Sequence, residues 1–328
     1  MRVLTRSDLH ELLPLEACVA AMREAMIATS ERRCVLPLRQ FMPVPGRPGK
    51  LGLMPGYLGG DGDCFGVKIV SKYERPPGDR HGSHVGAVLL LDAATGLPLA
   101  LLEGAALTAI RTAATTALAT DALARAESRR LVILGTGEEA LYHARALLPV
   151  RPFTELVVWG RSPGRAAALL ERLGPVHGVR CTVAGEPPEA LERADVACTV
   201  TSAATPFVRG EWLPPGLHLN LVGSAIPTTA EVDDVCVARG RFFVDYREAA
   251  KAAAGELLAA IRHGVVGEDH VVGEIGEVLL GRVQGRRRAE EITIYKSLGV
   301  TTQDLAAARL AWREAVARGL GQVLELDR

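Results

Sequence analysis

The stretch Arg129-Arg130-Leu131-Val132-Ile133-Leu134-Gly135-Thr136-Gly137-Glu138-Glu139-Ala140 decides the fold. A short apolar strand pattern runs straight into Gly-x-Gly-x-x-Ala, and a helical pattern follows from Leu141 to Leu148. Each small residue has a steric reason. Gly135 permits the tight turn, Gly137 lets the backbone approach a pyrophosphate, and Ala140 keeps the helix close to the strand. Free N–H groups at the helix N-terminus then face the phosphates. A second strand pattern, Glu155 to Trp159, arrives after one helix, as a βαβ unit requires. The fold is read as α/β, with a Rossmann dinucleotide-binding half beginning at Arg129.

The end of that second strand selects the dinucleotide. An NAD enzyme usually places Asp or Glu there to bind the adenosine ribose. This chain has Gly160-Arg161-Ser162-Pro163-Gly164-Arg165 instead. Arg161, Ser162 and Arg165 fit a 2′-phosphate, so NADP(H) is favoured, with NAD(H) as the alternative. The other reading is that both arginines face water on a surface turn. Further strand patterns are Asp195 to Thr201, leading into Ser202, then Leu217 to Val222, and Phe242 to Asp245. Their C-terminal ends, with Thr199, Thr201, Ser202 and Val222, should line the nicotinamide side. Glu248 to Ala260 reads as a helix, and Thr302 to Ala317 as a final helix returning to the N-terminal layer.

In the N-terminal third, Ser7-Asp8 can cap a first helix and Pro14 can start a second. Leu15, Val19, Met22 and Met26 form a stripe that core packing explains. Phe65, Val67 and Ile69 alternate with Gly66 and Lys68 in a strand pattern. Val85 to Leu91 and Leu97 to Leu102 read as a hairpin turned by Asp92-Ala93-Ala94-Thr95-Gly96. Lys68, inside its strand, and Arg111, after Ala105 to Ile110, have few carboxylates near them in sequence. A buried cation needs an anion. Two readings are open: a substrate carboxylate, which Arg grips with two parallel bonds, or a structural ion pair with a distant acid or plain exposure.

Composition narrows the classes. A chain of 328 residues argues for two domains. Lys+Arg and Asp+Glu both total 38, so no basic excess points to nucleic acid or an anionic membrane. Arg286-Arg287-Arg288, followed by Glu290 and Glu291, reads as a solvated loop. The six cysteines form no CxxC pair, which argues against a zinc site or disulfide framework and for the cytoplasm. Asp8 interrupts the N-terminus before any signal-peptide apolar region forms. The long uncharged stretch Trp212 to Ala230 holds Pro214, Pro215 and Pro227 and cannot be a membrane helix.

Several separated blocks together resemble the ornithine cyclodeaminase/mu-crystallin family. They are Leu36-Pro37-Leu38-Arg39, Met54-Pro55-Gly56-Tyr57, Gly66-Val67-Lys68-Ile69-Val70-Ser71, Leu107 to Ala114, the glycine loop, Glu211-Trp212-Leu213, Gly273 to Val278, Tyr295 to Gly299 and Asp304-Leu305-Ala306. The resemblance implies a Rossmann dinucleotide-binding domain, residues 115–303. It also implies an α/β substrate-binding and dimerisation domain, residues 1–114 with 304–328, an active site between the domains, and a homodimer paired through the N-terminal layer. Carried over by position, Arg39, Lys68 and Arg111 look like the cations that hold an α-imino or α-amino carboxylate. Lys68 is the catalytic candidate. Glu274 looks like a site-lining, substrate-side residue. Ser83 and His84 look like nicotinamide-side contacts, and Arg111, Val222 and Ser297 are similar to cofactor-binding positions. The loop residues Gly135, Thr136, Gly137, Glu138 and Ala140 belong with them.

One departure bears on activity. The cyclodeaminases carry a proton-transferring aspartate just after Val-Gly-Gly, where this chain reads Val222-Gly223-Ser224-Ala225. Alanine cannot move a proton, so the resemblance favours the reductase branch: hydride transfer between NAD(P)H and the C=N carbon of a small imino acid such as a cyclic ketimine. The alternatives are an amino-acid dehydrogenase, an ornithine-type cyclodeaminase, or a non-catalytic NADPH-binding protein. No metal is required by any of these readings.

Overall fold

The computed structural model describes residues 1–73 and 84–325. The chain divides into two compact units, Met1–Thr112 with Val300–Arg328, and Ala113–Gly299. Along the sequence the first elements are β1 (Arg2–Leu4), α1 (Arg6–Leu12), α2 (Leu15–Ser30), β2 (Cys34–Val35), β3 (Gln40–Pro43), β4 (Lys50–Leu58), β5 (Cys64–Lys72), β6 (His84–Asp92), β7 (Pro98–Glu103) and α3 (Gly104–Leu123). There follow β8 (Arg130–Leu134), α4 (Glu138–Leu147), β9 (Glu155–Trp159), α5 (Pro163–Leu173), β10 (Arg180–Val183), α6 (Pro187–Leu191), β11 (Val196–Thr199) and β12 (His218–Leu221). The last are α7 (Asp234–Arg239), β13 (Gly240–Val244), α8 (Arg247–Ala253), α9 (Gly255–Arg262), β14 (Val271–Glu274), α10 (Ile275–Leu279), β15 (Ile292–Lys296), α11 (Thr301–Arg318) and β16 (Gln322–Val323).

The first unit is built on a sheet of order β16-β1-β7-β6-β5-β4-β2, with β3 also paired to β4. Strands β4 to β7 run antiparallel. Helices α11 and α2 pack together, and α11 lies against β4, β5 and β6. Its first half is buried all round, with Leu305, Ala306, Ala307 and Ala308, and Ala311 is buried beyond them. Small side chains let the helix approach, and Gly66 accommodates it: a Cβ there would sit 3.1 Å from Leu305 Cδ2 and 2.1 Å from the Leu89 carbonyl oxygen. The turn between β6 and β7 forms as its sequence requires. Asp92 Oδ1 accepts the Thr95 N–H at 2.7 Å and its hydroxyl at 2.8 Å, and Gly96 takes φ +73°. The cap of α1 is Thr5 rather than Ser7, because Thr5 and Asp8 satisfy each other's backbone N–H groups in a capping box.

Strand β5 turns its small and charged side inward. Cys64, Gly66 and Lys68 are buried, whereas Ile69 is exposed and Phe65 and Val67 are only partly covered. Lys68 therefore faces inward, and the apolar side of the strand faces out.

The second unit is a sheet of order β10-β9-β8-β11-β12-β15-β13-β14, parallel throughout. Strands β8, β11 and β12 are buried along nearly their whole length, which is why they read as continuous apolar runs. Strand order reverses between β8 and β11, the position where open α/β sheets bind ligands. Two expectations are corrected here. The helix expected over Glu248 to Ala260 breaks at Ala254, where ψ is 85°, into α8 and α9. The chain bends there as Gly255 passes the Thr229 carbonyl, so closely that a Cβ would lie 1.9 Å from its oxygen. Arg286 is no solvated loop residue: it donates to the carbonyls of Leu123 and Leu217 and to the Thr293 hydroxyl. Only Arg287 and Arg288 of that run are exposed. Among the described residues no helix is long and apolar enough to cross a membrane.

Candidate active site

In the first unit, Lys68 occupies the centre of β5, flanked in register by Met54 of β4 and Val88 of β6. Its ammonium meets Asp304, in the first turn of α11: Lys68 Nζ lies 3.2 Å from Asp304 Oδ1. The same oxygen accepts Arg111 Nε at 2.9 Å, and Arg111 Nη1 donates to Gln303 Oε1 at 2.7 Å. Lys68 and Arg111 are each 4% exposed and Asp304 is fully buried. The open question about the two cations thus has a partial answer. An acid of the chain itself stands between them, and one of its oxygens serves both cations. Arg39, half-buried ahead of β3, adds to the positive field on Lys68.

The electrostatics follow from burial. Desolvation drives the Lys68 pKa down from 10.5 to about 8; Asp304 opposes the fall, and Arg111 and Arg39 add to it. For Asp304 burial works upward, yet Arg111 and Lys68 prevail and hold its carboxyl below the ordinary carboxylate value. A buried lysine near neutrality can both bind an anion and give up a proton. His84 opens β6, and Ser83 lies outside the described residues.

In the second unit, Gly135 ends β8 at φ +145°, and a Cβ there would come within 2.6 Å of the Val200 carbonyl oxygen. Its requirement for glycine is internal. Gly137 differs: a Cβ there would meet nothing within 4 Å. Protein packing does not demand glycine at that position, whereas the close approach of a pyrophosphate does. Gly137 is also the N-cap of α4, and no side chain caps that helix. Ala140 is buried in the core shared with Leu131, Ile133 and Val158. Thr136 lies against Gly160 at the end of β9, where a Cβ would be 2.4 Å from Thr136 Cγ2. The loop, with Glu138 in the first turn of α4, therefore fits a bound dinucleotide. Arg161, Ser162 and Arg165 are all exposed where β9 passes into α5, and Ser162 Oγ accepts the Arg165 N–H at 3.4 Å as N-cap.

The neighbouring strand ends are tied by a residue that sequence reasoning missed. Buried Glu231 accepts Thr201 N and Oγ1 on Oε1, at 2.8 and 2.7 Å, and Thr199 Oγ1 and Gly223 N on Oε2, at 2.7 and 2.8 Å. It joins the ends of β11 and β12. Behind it, Glu256 Oε1 accepts the Glu231 N–H at 3.2 Å, and the fully buried Lys296 Nζ lies 3.2 Å from Glu256 Oε2. Val222 follows β12 and donates its N–H to Thr199 O at 3.0 Å, while Ser202 is exposed. Ser297 is buried just after β15, with its N–H on Leu221 O at 3.0 Å. Glu274 belongs to this unit rather than the one carrying Lys68; it is the N-cap of α10 and accepts the Arg247 N–H at 3.1 Å. Asp245, also missed, accepts the N–H groups of Leu298 and Gly299 at 2.9 and 2.8 Å. Among the described residues no group of His, Cys, Asp and Glu could hold a metal ion.

A parallel sheet with this loop at its strand-order reversal defines a Rossmann-type dinucleotide-binding protein, here joined to a second α/β unit that gathers buried cations. The chain belongs to the ornithine cyclodeaminase/mu-crystallin family, whose model matches residues 1–319. It is 33% identical over 328 residues to a Delta(1)-pyrroline-2-carboxylate reductase of Bacillus cereus, covering 99% of this chain and 100% of that protein. It is 35% identical to the ketimine reductase mu-crystallin of Mus musculus, covering 94% and 92%. Among solved structures, the Thermococcus litoralis Delta(1)-pyrroline-2-carboxylate reductase in complex with NADH and L-proline matches with TM-score 0.94 and 31% identity, over 99% of this chain and 100% of that one.

Proposed function

We propose that this protein is an NAD(P)H-dependent reductase of the C=N bond of a small imino acid, with a cyclic ketimine such as pyrroline- or piperideine-2-carboxylate as substrate. The carrying observation is the buried cluster of Lys68 and Arg111 on Asp304, with Arg39 adding to its positive field, in a family whose similar members are named for this chemistry. The bound dinucleotide supplies a hydride to the imine carbon. Arg39 and Arg111 hold the substrate carboxylate, which fixes the carbon against the donor; such positioning lowers a barrier by several kcal/mol, on the order of 7 or more in well-oriented cases. As the C=N electron pair moves to nitrogen, that nitrogen takes a proton from the Lys68 ammonium, directly or through water, and the lysine is reprotonated from solvent. Ala225 supplies no acid for cyclodeamination.

Arg161, Ser162 and Arg165 support NADP(H) over NAD(H), since β9 ends in cations where a ribose-binding acid would stand. A homodimer is part of the reading. Val35, Leu38, Phe41, Met42 and Ile69 expose apolar surface on the first unit, and covering it fits pairing with a second copy. The free cysteines agree with a reducing cytoplasm. The test follows the absorbance of NADPH and of NADH with a panel of cyclic imino acids. Oxidation that requires the substrate carboxylate supports the proposal. Tight NADPH binding with no oxidation by any imino acid would favour a binding protein instead.

A further inference from the structure

We propose that Asp304 is a positioning residue that yokes Lys68 to Arg111 through one shared oxygen, and thereby keeps a protonated lysine at the substrate. The proposal rests on the reductase reading and assigns the acid its part in it. The geometry is lopsided. Both cations use Asp304 Oδ1, whereas Oδ2 is buried and accepts no hydrogen bond among the described residues. Here one oxygen fixes the separation of the two cations, and Gln303, the adjacent residue of α11, holds the Arg111 guanidinium from a second side.

Among the described residues, the charged and titratable groups around Lys68 come from several elements. Asp304 approaches from α11, Arg111 from α3 and Arg39 from the segment before β3, while Met54 and Val88 on the flanking strands carry no charge. Cys18 of α2, which feels Arg111, is neutral, its thiol pushed up to about 12 by burial. Among the described residues Asp304 is thus the anion that opposes desolvation and two other cations at Lys68. Neutralising it leaves Lys68 and Arg111 buried with no counter-charge from that position, and the lysine then releases its proton more readily.

The test exploits composition. The sequence contains five lysines, Lys50, Lys68, Lys72, Lys251 and Lys296, so ¹⁵N-lysine labelling gives a spectrum in which Nζ of Lys68 is assignable against Lys68→Arg. In D304N the Lys68 titration should move down by at least about one pH unit, roughly a tenfold change in proton affinity. The alkaline limb of kcat/KM should move with it, and D304E should restore both. A Lys68 titration unchanged in D304N overturns the proposal. A titration that moves while the rate profile stays fixed leaves the yoke standing and removes Lys68 as proton donor, which is a failure of the reductase reading. Should D304N not fold, the wild type decides: the ¹³Cγ resonance of Asp304 must show an inflection at the Lys68 midpoint, and its absence overturns the coupling.

Discussion

Glu231 Oε1 receives both the backbone N–H of Thr201 and its hydroxyl, at 2.8 and 2.7 Å, while Oε2 binds Thr199 and Gly223. One carboxylate satisfies four donors from two strand ends. In Glu231→Gln the amide nitrogen confronts two of those donors and can accept from neither. Hydrogen bonds to a charged group contribute about 1.5–3 kcal/mol each. The variant should lose about 3 kcal/mol or more in denaturant unfolding and bind dinucleotide at least about tenfold more weakly. An unchanged unfolding midpoint would show that the tie is dispensable.

Lys68→Ala should lower kcat/KM about a hundredfold, the scale of a lost general acid. The fold should survive, because Asp304 keeps Arg111 as partner. In the proposed reaction the donor is the protonated ammonium, whose pKa is lowered to about 8. The rate attributable to Lys68 is therefore full below that pH and falls as pH rises through it. A pH profile that instead climbs through this range would contradict the assignment.

Two glycines of one loop should respond oppositely. Gly137→Ala meets open space at φ −83°, so its stability should stay within about 0.5 kcal/mol of wild type while dinucleotide affinity falls sharply. Gly135→Ala is strained at φ +145° and collides with the Val200 carbonyl, so it should unfold more readily whether or not dinucleotide is present. Calorimetry with and without NADPH separates the two. Equal stability losses would remove the ligand-based explanation of Gly137.

Arg161→Ala should raise the KM for NADPH by roughly tenfold or more, the loss of one charge-assisted bond to a phosphate, and leave that for NADH nearly unchanged. Parallel changes for both dinucleotides would place the arginine away from the 2′-phosphate.

What the sequence made legible was local. Gly135, Gly137 and Ala140 act within one turn, so spacing alone exposes them. Alternation in β5 was equally visible, but period two says only that the two faces differ. Which face lies inside depended on Asp304, which pairs with Lys68 across 236 residues. Glu231 was hidden for a related reason: its four donors come from the ends of β11 and β12, adjacent only once the sheet order is known. Thr201 was expected to line the nicotinamide side, but that its hydroxyl donates to Glu231 was not legible.

The first unit is discontinuous in the chain, with Ala113–Gly299 inserted between its two parts. On a ribosome adding about 5–20 residues per second, Lys68 emerges on the order of ten to fifty seconds before Asp304 does. Throughout that interval the nascent β5 carries an ammonium with no counter-ion from α11, and its sheet lacks the helix that covers it. The inserted unit is contiguous and has its own core, so all of it has been made before α11 emerges. Birth order thus makes the cation-bearing half the last part of the chain to be complete.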